Sequence, residues 1–167
     1  MSSTYLLINL FAVSIPLGFS FHPRLKFWSQ WRAWLPAILL PAAPFILWDV
    51  LFTELGVWGF NPDHLLGITL LGLPLEEWMF FVAIPYACLF TYHSLKVLLP
   101  PLLSARTAGK ISLLVGLTLV FLGLFNLHRL YTGVTFLSTG IFLLLFLWRS
   151  KLRFWEYFYP TYLIIYA

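Results

Sequence analysis

Charge is scarce in this sequence. Ten lysines and arginines and six acidic residues make up 10% of the 167 residues, against roughly 25% in a soluble domain. That scarcity excludes an ordinary water-soluble core. With 61% apolar and 20% aromatic residues and a mean hydropathy of +0.90, the chain reads as an all-α, polytopic integral membrane protein. Cysteine is rarer still. Cys88 stands alone in an apolar run, which excludes an intramolecular disulfide and a cysteine metal cluster and reads as a small buried hydrophobe. The four histidines, His22, His64, His93 and His128, show no pair at helical ligand spacing, so no metal site is expected from them. The basic residues form no patch; they sit between apolar runs, so the net charge of +4 implies no nucleic-acid partner.

What the chain has instead is long apolar runs. A span of the hydrocarbon takes about 20 apolar residues. Five stretches qualify, at Thr4–Phe21, Trp34–Phe52, Glu77–Leu95, Ile111–Leu127 and Tyr131–Trp148, and a sixth runs from Tyr157 to Ala167, about half a span. The first has no basic region ahead of it and no small-residue cleavage site behind it, so it reads as a retained helix and not as a signal peptide.

The connections carry the orientation. Arg24, Lys26 and Arg32 lie in the first loop, Lys96, Arg106 and Lys110 in the third, and Arg149, Lys151 and Arg153 in the fifth. Arg129 is the one basic residue of the other two loops. By the positive-inside rule the basic loops are expected to be cytoplasmic and the N-terminus outside, in the cell membrane.

The outer loop Thr53–Glu76 contains Glu54 and Asp63, no Lys or Arg, and an apolar stretch, LLGITLLGLP, too short to cross. Three placements fit it: flat at the interface, dipping in and returning, or extending the third helix until Pro74 breaks it.

There is also an internal echo. RLKFW at Arg24–Trp28 returns as KLRFW at Lys151–Trp155, each after an apolar helix and before a proline-containing one. The expected organisation is therefore tandem: a three-helix repeat over 1–95, a cytoplasmic loop and linking helix over 96–130, and the start of a second repeat, cut short, over 131–167. The missing half is expected from further sequence or from a partner subunit.

Four acids gather at the outer side: Asp49 near the end of the second helix, Glu54 a turn beyond, and Glu76 and Glu77 opening the third. Consecutive helical residues point about 100° apart, so the two glutamates cannot face one spot. One is expected to carry chemistry while the other orients it or caps the helix. A glutamate in a first helical turn is also simply favoured by the helix dipole. The surroundings argue for more: no basic partner in the loop, and Trp48, Phe52, Trp58, Phe60, Trp78, Phe80 and Phe81 close by. Without a cation to pair with, an apolar setting keeps at least one carboxyl protonated. A neutral acid among aromatic faces suits proton donation to a carbon–carbon double bond, with the rings stabilising the carbocation and a neighbouring carboxylate removing a proton at the end. Ionisable groups in a membrane mark function by default.

The string FILWDVLFTELGVWGFNPDHLLGITLLGLPLEEWMFF resembles the signature region of the membrane-type, non-flavin lycopene cyclases of bacteria, archaea and fungi, over about residues 34–95. The matching pattern is Trp48–Asp49, then Gly56–Val57–Trp58–Gly59–Phe60–Asn61–Pro62, then Gly67, then Leu73–Pro74–Leu75–Glu76–Glu77. The resemblance implies three-helix repeats and redox-neutral cyclisation of the ψ-ends of lycopene to β-rings. It also implies chemistry without a flavin, and no other cofactor is expected; consistently, no G-x-G-x-x-G follows a strand.

The site residues follow. Glu76, Glu77 and Asp49 are the expected catalytic acid and base, and Trp48, Trp58, Phe60, Asn61, Pro74 and Trp78 the expected walls for a lipophilic carotenoid, with glycines shaping the loop. Two other readings use the same acids: magnesium binding for a membrane prenyltransferase, which also wants basic residues that the outer loop lacks, and a proton relay in a non-catalytic membrane subunit or carrier.

Overall fold

The computed structural model describes residues 3–149 and 152–167; Lys151, assigned above to a basic loop and to the echo, lies outside the described residues. Six α-helices are described: α1 Thr4–Phe19, α2 Trp31–Glu54, α3 Leu75–Leu98, α4 Ala105–Phe125, α5 Leu130–Arg149 and α6 Trp155–Tyr166. The fold is all-α and membrane-like. α2 to α5 are each long and apolar enough to cross a bilayer. α1, expected as a full span, has 16 residues, a length of about 24 Å at 1.5 Å per residue.

Several helices outrun the expected spans. α2 takes in Arg32, α3 Lys96, α4 Arg106 and Lys110, and α5 Arg149, all assigned above to loops. Long basic side chains at helix ends reach the interface while the backbone stays helical, so charge does not mark the helix end. Prolines inside α1, α2, α3 and α6 do not end those helices either; in a membrane, neighbouring groups re-satisfy the carbonyls that proline frees. At the end of α1 the Pro16 carbonyl accepts both the Ser20 amide at 3.0 Å and the Ser20 hydroxyl at 2.6 Å.

The LLGITLLGLP stretch is not helical. It forms a two-stranded antiparallel hairpin, β1 Thr69–Leu70 with β2 Leu73–Pro74, pairing Thr69 with Pro74 and Leu70 with Leu73. Both turn residues have positive φ, Leu71 at 51° and Gly72 at 79°, the geometry of a two-residue primed turn that follows the strand twist. Of the three placements, extension of the third helix is overturned. Leu73 and Pro74 are buried while Leu70 and Leu71 are exposed, and β2 lies against α2. α3 therefore starts beside the last turns of α2.

The chain divides into two compact units, Met1–Val97 and Leu98–Ala167. The first is held at its basic-loop end by the RLKFW string. Lys26 adopts a left-handed backbone, φ 46°, and the next residue, Phe27, opens a short 3₁₀ helix. The Phe27 ring, 0% exposed, lies against Trp34, Tyr86, Phe90 and His93 with centroids 5.2–5.8 Å away. Polar cross-links surround it. Ser20 and Tyr86 hydroxyls are 2.5 Å apart, Trp31 donates to Tyr86 at 3.1 Å, and His93 Nε2 lies 2.8 Å from the Leu25 carbonyl.

The second unit is built around the α4–α5 hairpin. Small residues let the two backbones meet: a Cβ added to Gly140 would stand 2.9 Å from the Gly116 carbonyl and from the Val120 amide, and one on Gly123 would stand 2.9 Å from the Leu137 amide. Without a hydrophobic force between helices in lipid, such close approach supplies the packing. α6 joins through Tyr159, which donates to Ser112 at 2.8 Å, and Trp155, 1% exposed, packs on Phe146 and Phe158.

Candidate active site

The site starts at the C-terminal end of α2. The helix ends in a glycine cap: Gly56 takes φ 68°, its amide donates to Thr53 and that of Val57 to Phe52, the double bond pattern that closes a helix end with a left-handed residue. That reversal sends Trp58 back along the helix it has just left. Its indole Nε1 donates to Asp49 Oδ1 at 2.7 Å and approaches Thr53 Oγ1 at 3.2 Å. Its ring stacks on Phe52 at 5.2 Å, and Phe52 on Trp48 at 4.8 Å with planes 7° apart. The Gly-x-Trp spacing thus builds a three-ring stack with a carboxyl bonded to one end.

Asp49 is 6% exposed. One oxygen accepts from Trp58; the other, Oδ2, is buried without a hydrogen-bond partner. Glu77, half-buried in the first turn of α3, lies within electrostatic reach of Asp49. Glu76 faces elsewhere. It is 2% exposed, its Oε1 accepts the Leu66 amide at 2.6 Å, and its Oε2 is buried without a partner. The two adjacent glutamates therefore differ in setting, Glu76 bonded to the loop and Glu77 near enough to Asp49 for their charges to interact.

The expected wall residues separate in the same way. Trp48 and Trp58 form the ends of the stack beside Asp49. Pro74 and Trp78 shape the approach: Pro74 ends β2 one residue before α3, and Trp78 donates to the Leu70 carbonyl at 3.2 Å, tying α3 to the hairpin. Asn61 caps a short turn, its side chain accepting the Asp63 amide at 3.0 Å. Phe60 is half-buried in the loop between Trp58 and that cap, and Glu54 is exposed at the end of α2. His64 in the same loop meets α1, 3.3 Å from Thr4 Oγ1 and edge-on to Tyr5. Among the described residues no group of three His, Cys, Asp or Glu could hold a metal ion.

Asn9 enters the site without having been anticipated. It is the polar residue in the run YLLINLFAV, 3% exposed on α1, and its Nδ2 donates to the Glu76 carbonyl at 2.9 Å. A buried amide in the middle of an apolar helix was the available signal. A separate recess of about 600 Å³, lined by Ser14, Ile15, Gly18, Phe19, Phe21 and His22, lies toward the other end of α1.

The arrangement gives a buried carboxyl and a half-buried one close enough for their charges to interact, beside stacked π-faces. Such a set can move a proton onto and off an electron-rich hydrocarbon. Searches of curated proteins and of solved structures return no match. The family model described as lycopene cyclase matches residues 2–95 and 128–167. These stretches contain every residue of the site and most of the chain, and the protein belongs to the lycopene cyclase family.

Proposed function

We propose that the protein is a lycopene β-cyclase, an intramolecular lyase acting on the ψ-ends of lycopene by acid catalysis with no net redox change. Glu77 carries the proton and delivers it to the terminal double bond of a ψ-end. The tertiary cation that results is attacked by the inner double bond, closing a six-membered ring by one new carbon–carbon bond. Asp49 then removes the ring proton whose loss forms the ring double bond, so the product is an isomer of the substrate. One proton is added and one lost. Trp48 and Trp58, at the ends of the stack, present their outer faces to the cation, and the Trp58 indole holds Asp49 in place. Glu76 positions the loop. The observation that carries this reading is the buried Asp49 beneath the ring stack with Glu77 in reach.

The membrane setting belongs to the same reading. Lycopene is itself a lipid-soluble rod, and the exposed Leu66, Ile68, Leu70 and Leu71 of the outer loop suit contact with acyl chains or substrate. The alternation of basic loops supports cytoplasmic placement of those loops and an outward N-terminus. A tandem organisation, with repeats over 1–95 and from 131 onward joined through 96–130, draws support from two features. A short 3₁₀ helix precedes both α2 and α6 at the repeated basic-aromatic string, and the family match omits residues 96–127.

Membranes holding the full chain, supplied with lycopene, should yield β-ring carotenoids by chromatography. Glu77→Gln, which keeps the shape and removes the proton, should lower the rate by about 10²–10⁴-fold with membrane insertion unchanged. Ring formation by that variant at the wild-type rate ends the assignment. Magnesium-dependent prenyl transfer by the same membranes would replace it.

A further inference from the structure

We propose that Asn9 is a positioning residue for the acid pair, setting the first turn of α3 so that Glu77 meets Asp49; this rests on the cyclase reading. Glu76 is held from two sides. Its side chain accepts the Leu66 amide of the loop, and its backbone carbonyl accepts Asn9 Nδ2 from α1. The same Nδ2 reaches the Tyr5 carbonyl at 3.1 Å, so the amide links two helices through backbone groups on each. The next residue after Glu76 is Glu77, and its direction follows from that of Glu76 by the fixed helical step of about 100°. Fixing one fixes the other.

The cost of the arrangement argues that the donor matters. Asn9 Oδ1 is buried without a partner, and an unsatisfied acceptor in an apolar interior is unfavourable. A leucine would fill this place in α1 without that cost. What leucine lacks is the N–H pair pointed at the Glu76 carbonyl. His64 with Thr4 and Tyr5 also joins the outer loop to the first turn of α1. Asn9 supplies a bond from α1 to the acid-bearing turn.

The test uses the full chain in lipid membranes with lycopene. Asn9→Leu should lower kcat by about tenfold to a hundredfold, as expected for a misplaced catalytic group, while KM stays within about twofold because the substrate walls are untouched. Asn9→Asp separates positioning from packing. Only its protonated carboxyl can donate to the Glu76 carbonyl, and burial at this place favours the neutral acid, so activity should return as pH falls, relative to wild type at each pH. Hydrogen exchange of the α3 first turn should quicken in Asn9→Leu. Wild-type kcat in Asn9→Leu, or an Asn9→Asp activity ratio flat with pH, overturns the proposal. Should wild-type membranes leave lycopene unchanged, the cyclase reading falls by itself. Exchange at the α3 first turn then decides the Asn9 link: faster upholds it, unchanged overturns it.

Discussion

The two units of the chain hold their helices together by different physics. In Met1–Val97 the helices meet through large rings and cross-helix hydrogen bonds, among them Phe27 in its aromatic cage, Tyr86 with Ser20 and Trp31, and Asn9 with Glu76. In Leu98–Ala167 the main contact is a seam where Gly116, Gly123 and Gly140 let α4 and α5 approach closely, with Gly133 packed on the connecting turn at Asn126 and Leu127. Glycine seams give close packing with little polar commitment. Hydrogen bonds between helices fix rotation and depth as well as distance. A site that must hold two carboxyls at one depth needs the second kind of scaffold, and the acids lie in the first unit.

That contrast can be broken residue by residue. The largest stability effect is expected from Phe27→Ala, which empties the cage and should cost about 3–5 kcal/mol; hydrogen exchange should quicken across residues 3–97 while α4 and α5 peptides keep their protection. Equal loss in both units would show that they do not stand apart. Gly140→Ala should cost about 1–3 kcal/mol by overpacking, because the new methyl meets backbone atoms that cannot step aside, and its effect should appear in α4 and α5 peptides. Gly18→Ala, where nothing lies within 4 Å, is the control and should leave the thermal midpoint in place. Trp58→Phe keeps a ring in the stack but removes the hydrogen bond to buried Asp49; it should lower cyclisation by about tenfold and cost about 1–3 kcal/mol, the penalty of an acceptor left unpaired.

Much of the architecture was legible from hydropathy, since each expected apolar stretch lies largely within a helix. Helix ends were less so, because Arg32, Arg106 and Lys110 continue helices beyond the apolar run. The hairpin escaped because a short apolar run has the same composition as a strand or as a piece of helix, and apolarity alone does not choose. Only Gly72, at positive φ, and Pro74 hinted at it. In the site, Trp48, Asp49 and Trp58 lie close in sequence, and the glycines were expected to shape the loop, but the return of Trp58 onto Asp49 through Gly56 was not anticipated. That Glu76 and Glu77 would face different ways was expected from the helical step, but which of them turns to the loop was hidden. It depends on Leu66, ten residues away, and on Asn9 in another helix, and no local pattern encodes a contact over 67 residues.

The central claim is that a carboxyl proton ends on carbon, and it can be read directly in the product. Full-chain membranes given lycopene in D₂O should form β-ring carotenoids carrying about one deuterium per ring by mass spectrometry, because the acid exchanges with solvent between turnovers. Glu77→Gln should form rings about 10²–10⁴-fold more slowly under the same conditions. Rings formed without deuterium, or formed at the wild-type rate by Glu77→Gln, would contradict the account.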